Sequence, residues 1–157
     1  MLTTIRCGAT IGAPLDDAAR WCRSAEARLC FPGARNVRGD GSGLFFEVGI
    51  RAPGAAPATV SVDEYLKDYR RERGGLWFET SQVWTWPNRE CGTAWHAYRL
   101  VAQDGSTTLE FTWRYILPGL AGAQVFNALR FSRSIERAGQ IYVDRLARRV
   151  GQVAVTA

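Results

Sequence analysis

Residues 94–119 read AWHAYRLVAQDGSTTLEFTWRYILPG, and this stretch decides the fold. Two alternating apolar runs flank Asp104-Gly105, a pair suited to a two-residue turn in which both residues take positive φ. The turn sets the register. Pairing outward from Gln103 opposite Ser106 places Leu100 against Leu109, Tyr98 against Phe111, His96 against Trp113 and Ala94 against Tyr115, all on one face. The opposite face pairs Arg99 with Glu110 and Trp95 with Arg114, contacts that belong in water.

Leu117-Pro118-Gly119 stops the second strand, and one amphipathic helix is expected from there to about Val150. Roughly 30 residues at 1.5 Å each give some 45 Å, so the helix must lie across something large. Its inward stripe is Val125, Ala128, Ser132, Ile135, Gly139, Tyr142, Leu146 and Val150, while Arg130, Arg133, Arg137, Arg145, Arg148 and Arg149 mostly fall elsewhere. Ala128, Ser132 and Gly139 are small. Either a cavity lies above the sheet there, or helix and sheet approach closely.

Ahead of the hairpin, Thr3 to Ile11 is a short strand, and Pro14 with Asp16-Asp17 opens a helix whose apolar positions are Ala18, Trp21, Cys22 and Ala25. Phe31-Pro32-Gly33 turns the chain into a strand at Ala34 to Arg38. After the Gly39-Asp40-Gly41-Ser42-Gly43 turn, Leu44, Phe46, Val48 and Ile50 alternate. From Val60 to Arg73 a strand pattern at the start competes with helical spacing of Val62, Leu66 and Tyr69. The strand at Leu76 to Trp86 follows, and the turn Pro87-Asn88-Arg89-Glu90 leaves open whether Trp77, Glu79, Ser81 and Val83 or Phe78, Thr80, Gln82 and Trp84 face inward.

Composition fits one domain over residues 1–157: 46% of residues are hydrophobic and 22% charged. The net charge of +5 comes almost wholly from arginine, Lys67 being the one lysine. No like-charge block exceeds a pair such as Arg70-Arg71 or Arg148-Arg149, which argues against nucleic acid as a partner. Cys7, Cys22, Cys30 and Cys91 lack zinc-site spacing and read as buried thiols, so no metal or cofactor is expected. The N-terminus lacks a signal peptide's apolar core and no run is long enough for a membrane span, making a reducing cytoplasm the default. Oligomeric state is not legible.

The order is strand, helix, a meander of about six antiparallel strands and a long terminal helix, an α+β layout. On the first strand running into Ala13-Pro14-Leu15-Asp16-Asp17-Ala18-Ala19-Arg20-Trp21, on Phe31-Pro32-Gly33, on the Gly39 to Gly43 turn and on Tyr115-Ile116-Leu117-Pro118-Gly119-Leu120, the chain resembles the SRPBCC or START-like superfamily, also called Bet v 1-like or helix-grip. Polyketide cyclase/dehydrase-like members are most similar, and the resemblance covers nearly the whole chain. It implies a curved antiparallel sheet of about seven strands wrapped around the C-terminal helix. It also implies a cavity between them for lipids, polyketides or other apolar molecules. The motifs are structural, and the stretch from Asp63 to Arg73 departs from the usual strand.

In such a cavity His96, Tyr98, Leu100, Phe111, Trp113 and Tyr115 would form an aromatic wall, facing Ser132, Ile135, Gly139 and Tyr142 of the helix; the same residues also suit an ordinary core. Three functions follow. A non-catalytic carrier or sensor of a hydrophobic small molecule comes first. The second is a cofactor-independent polyketide cyclase or dehydratase with His96 as general base and Tyr98 or Tyr115 stabilising an enolate. The third is an interaction protein with a collapsed cavity and exposed Trp84, Trp86 or Trp95. The carboxylates Asp63, Glu64, Asp68 and Glu72 read as a solvated face, and Glu79 would matter only if turned inward beside Tyr98. The Gly39 to Gly43 segment has no phosphate-loop spacing, and no nucleophile has a triad setting.

Overall fold

The computed structural model describes residues 2–50, 57–116 and 124–153, with the side chains of 124–132 and 151–153 outside the description. The elements are β1 (Thr3–Ile11), α1 (Leu15–Cys22), α2 (Ala25–Arg28), β2 (Ala34–Gly39), β3 (Leu44–Ile50), β4 (Ala58–Glu72), β5 (Gly75–Thr85), β6 (Cys91–Gln103), β7 (Ser106–Ile116) and α3 (Gln124–Val153). Seven strands form one antiparallel sheet in the order β1-β7-β6-β5-β4-β3-β2. This is the helix-grip α+β fold. Each strand from β2 to β7 pairs with its sequence neighbour, and β1 closes the far edge against β7, from Thr3 opposite Tyr115 to Ile11 opposite Thr107.

The β6–β7 hairpin has the register its turn demands. Gln103 faces Ser106, and His96 faces Trp113. Asp104 and Gly105 both take positive φ, 38° and 81°. On the outer face Arg99 lies 3.5 Å from Glu110, and the Arg114 guanidinium sits 5.8 Å from the Trp95 ring.

The stretch that reads ambiguously between helix and strand is strand as far as Glu72. β4 is hydrogen-bonded on both sides, Leu44 to Ile50 opposite Glu64 to Ala58 and β5 along its other edge, so its backbone groups are satisfied by the sheet. A bulge between Leu66 and Asp68 inserts Lys67 and shifts the alternation, which is why the period of two fades there. The β5–β6 turn, with Arg89 at φ 67°, pairs Thr85 with Cys91. That parity turns Leu76, Phe78, Thr80, Gln82 and Trp84 inward, all of them buried.

α3 covers the concave face through Ile135, Gly139, Tyr142, Val143, Leu146 and Val150, while Arg133, Arg137, Arg145, Arg148 and Arg149 are exposed. At Gly139 the close-approach reading holds. A Cβ there would lie 3.2 Å from Cys7 Sγ, with Trp113 and Ile5 just beyond. The Leu117-Pro118-Gly119 stop and the side chains of Val125, Ala128 and Ser132 lie outside the described residues.

Three surface expectations need correction. Cys22 and Cys30 are buried, but Cys7 is half-buried and Cys91 exposed, because Cys91 opens β6 at the rim of the sheet. Trp84 is buried, its inward parity taking it out of any surface patch. Glu64 leaves the solvated face altogether. It follows Val60 and Val62 on the inner side of β4, with a relative exposure of 2%.

Candidate ligand cavity and the polar interior behind it

Between the sheet and the middle of α3 lies a cavity of about 170 Å³. Its walls include Phe31, Trp84, Trp86, Trp113, Tyr115 and Ile135. Each element supplies its residue for a local reason. Phe31 is presented by the turn after α2, where Gly33 takes φ 79° and passes so close to β3 that a Cβ would meet the Gly49 carbonyl oxygen at 2.7 Å. Trp84 ends the inward row of β5, Trp113 and Tyr115 follow Phe111 on β7, and Ile135 comes down from α3. The rings pack edge to face or tilted, Phe31 at 5.2 Å from Trp113 and Trp84 at 5.8 Å from Trp113 between centroids.

Behind this wall the interior is polar. Arg28, at the end of α2, clamps the Glu64 carboxylate through Nε at 3.0 and 2.9 Å and through a second nitrogen. The same guanidinium donates to the Cys22 carbonyl at 2.7 Å and to the Tyr142 hydroxyl at 3.2 Å, joining α1, α2, β4 and α3. Tyr142 and Tyr98 share a hydrogen bond of 3.0 Å, and Arg28 lies 5.7 Å from the Tyr98 ring. Gln82 Nε2 donates to Glu64 at 2.8 Å and lies 3.2 Å from His96 Nδ1, while Gln82 Oε1 accepts from Trp84 Nε1 at 2.8 Å.

The chemistry of these atoms fixes the protonation pattern. An indole N–H only donates, so the Gln82 carbonyl must face Trp84 and its amino group must face Glu64 and His96. His96 Nδ1 is then an acceptor, and the ring proton sits on Nε2. Burial pushes the His96 pKa down to about 3, with the Glu64 carboxylate opposing and Arg28 reinforcing that shift. The ring is neutral. Burial also works against the charges of Glu64 and Arg28, but each outweighs it for the other. The carboxyl is held below its usual range and the guanidinium raised above its own. The buried phenols of Tyr98 and Tyr142 are raised and stay protonated. Among the described residues, His96 Nε2, Thr80 Oγ1, Trp21 Nε1 and Trp113 Nε1 are buried without a hydrogen-bond partner.

Trp113, Tyr115 and Ile135, three of the residues singled out from the sequence, line the cavity. His96, Tyr98, Leu100, Phe111 and Tyr142 are buried beside it and are not among its walls, and Gly139 is packed against Cys7. The Ser132 side chain lies outside the described residues. Arg28, Glu64 and Gln82 were not among the expected site residues. Continuing the Val60, Val62 alternation would have carried Glu64 inward, but Arg28 gives no local sign, since it is an ordinary last-turn arginine of a short helix. Glu79 faces outward, yet it is buried under Lys67 at 2.9 Å and Arg114.

A curved antiparallel sheet closed over by one long helix, with an aromatic-walled cavity between them, defines the helix-grip class of proteins. The solved structures agree. The chain is similar to the Zhui aromatase/cyclase from Streptomyces sp. R1128, with a TM-score of 0.69, 13% identity, and coverage of 97% of this chain and 95% of that one. Similarity extends to Ara h 8.0201 at a TM-score of 0.56 and 12% identity, over 97% and 99% of the two chains. It also extends to the di-domain ARO/CYC StfQ from the steffimycin biosynthetic pathway, at a TM-score of 0.58 and 11% identity. That match covers all of this chain and 53% of StfQ. The chain therefore has the Bet v 1-like, or helix-grip, fold. No protein-family model matches the sequence, and no curated protein does.

Among the described residues no helix is long and apolar enough to cross a membrane, and no group of three or more His, Cys, Asp or Glu could hold a metal ion.

Proposed function

We propose that this protein binds a compact hydrophobic small molecule between its sheet and α3, as a non-catalytic carrier or sensor. The observation that carries this reading is the cavity itself, about 170 Å³ and walled by five aromatic rings. It lies below the ~300–1,000 Å³ of pockets for drug-sized ligands, so the ligand is small. The aromatic walls offer a large contact area with few rotamers to freeze. A cavity of this size argues against the collapsed-interior alternative. The free thiols suit a reducing compartment, and the reading places the protein in the cytoplasm.

The cyclase-type alternative draws support from the fold shared with Zhui and StfQ, but His96 is poorly suited to serve it as a base. Its Nδ1 is occupied by Gln82, its Nε2 carries the proton, and the ring is not among the cavity walls. We read His96 as part of the interior network.

The test is calorimetric titration of the detergent-free protein with 2-naphthol, paired with native mass spectrometry and organic extraction of whatever copurifies. Saturable binding that Ile135→Trp abolishes, by filling the cavity from α3, supports the reading. No uptake by the wild-type chain, or uptake unchanged in the filled variant, sinks it.

A further inference from the structure

The inward face of β5 carries Thr80, Gln82 and Trp84 in succession, each step of two residues spanning about 6.8 Å. Trp84 walls the apolar cavity. Thr80 lines a second cavity of about 240 Å³ on the other side, shared with Arg28, Glu64, Leu66 and Arg23 beside the turn at Gly39 to Gly43. Gln82 stands between the two and is fully buried. Its carbonyl and amino groups are all engaged, by Trp84, Glu64 and His96. A Leu or Met would fill the same volume without desolvating an amide. What an amide adds is direction.

We propose that Gln82 is a positioning residue that sets ligand shape: by holding the Trp84 indole as the inner wall, it closes the apolar cavity against its polar neighbour and selects compact planar rings over extended chains. The argument rests on the ligand-binding reading above. The ring contacts of Trp84 with Phe31, Trp86 and Trp113 are tilted or edge-on at 5.8 to 6.3 Å, none of them directional as a hydrogen bond is. The indole N–H to Gln82 is its directional restraint. Gln82 is itself held by a carboxylate that Arg28 clamps, and hydrogen bonds to charged groups are the strong ones. The restraint thus runs from α2 through β4 and β5 to the cavity wall.

The experiment compares 2-naphthol with 1-decanol, matched in carbon and oxygen count, by calorimetric titration of wild type, Gln82→Met, Gln82→Glu and Trp84→Phe. Met keeps the volume and removes the bonds. Glu, protonated by burial, keeps a carbonyl for Trp84 and an O–H for Glu64 or His96. The expected result is a wild-type preference for the ring that falls about tenfold in Gln82→Met and Trp84→Phe and is retained in Gln82→Glu. The Trp84 indole N–H, followed by NMR, exchanges slowly in wild type and Gln82→Glu and fast in Gln82→Met. Should Gln82→Met fail to fold, Trp84→Phe carries the comparison alone. The inference is overturned if the preference survives loss of the bond, or if Gln82→Glu loses it equally, since any core disturbance would then suffice. A wild-type chain that binds neither probe overturns the ligand-binding reading, whereas binding of both with an unchanged ratio in the variants overturns only this inference.

Discussion

A histidine held neutral inside the folded chain makes the native state sensitive to acid. In the unfolded chain His96 takes a proton near its ordinary value of 6.5, whereas in the folded chain it does so only near 3. Between these values the unfolded state binds the extra proton, so stability falls as pH drops, by about 1.4 kcal/mol per pH unit. The Glu64 carboxyl, held low, contributes stability above its unfolded value that disappears as pH falls through its folded one, which steepens the loss at the acid end. Urea midpoints followed from about pH 7 to about pH 4 should decline in wild type and decline less in His96→Asn. Equal slopes would mean that another group titrates. Removing one partner of a buried ion pair leaves the other uncompensated, so Arg28→Met should cost about 3–5 kcal/mol, and Arg28→Met with Glu64→Leu should cost less than Arg28→Met alone. A double variant no more stable than the single one in denaturant titrations would contradict that account.

At the scale of elements, the fold follows from turn chemistry and periodicity. Asp104-Gly105 fixed the β6–β7 register because two positive φ values admit little else, and His96 opposite Trp113 was readable from that alone. The β5–β6 turn carried no such signal, so the inward row of β5 was undetermined until Thr85 met Cys91. β4 was obscured beyond Leu66 by its bulge at Lys67, whereas the inward direction of Glu64 was masked by its charge, since a carboxylate in a row with Val60 and Val62 reads as solvated until its partner is known. Gly139 shows how an element's thinness reads differently in three dimensions: helix propensity alone makes a mid-helix glycine costly, but contact with Cys7 and Trp113 makes room scarce. Gly139→Ala should be nearly neutral, since its Cβ needs Cys7 Sγ to yield only slightly while the helix gains up to about 1 kcal/mol. Gly139→Leu should lose about 1–3 kcal/mol by overpacking, visible as a lowered Tm. A Tm for Gly139→Leu at or above wild type would show that the close approach does not constrain α3.

For the whole molecule, the helix and sheet hold between them an aromatic-walled cavity and, beside it, a paired polar core. A ligand that binds only the folded state stabilises it by mass action, by about 2.7 kcal/mol at a hundredfold excess over Kd. The Tm should therefore rise with added 2-naphthol in wild type and stay constant in Ile135→Trp. A shift of equal size in both would place the ligand outside the cavity.

Local patterns in the chain were enough for the order of elements, the hairpin register and the inward stripe of the described part of α3. These depend on local quantities: which residues tolerate positive φ, and whether apolar positions recur by two or by three and four. Packing in three dimensions makes Glu64 a core residue, joins it through Gln82 to the cavity wall and brings His96 into that network. Arg28 meets Glu64 across 36 positions and Tyr142 across 114. No local preference encodes such meetings. A carboxylate costs free energy to bury until its partner arrives from another element, so its fate is settled by packing and desolvation together.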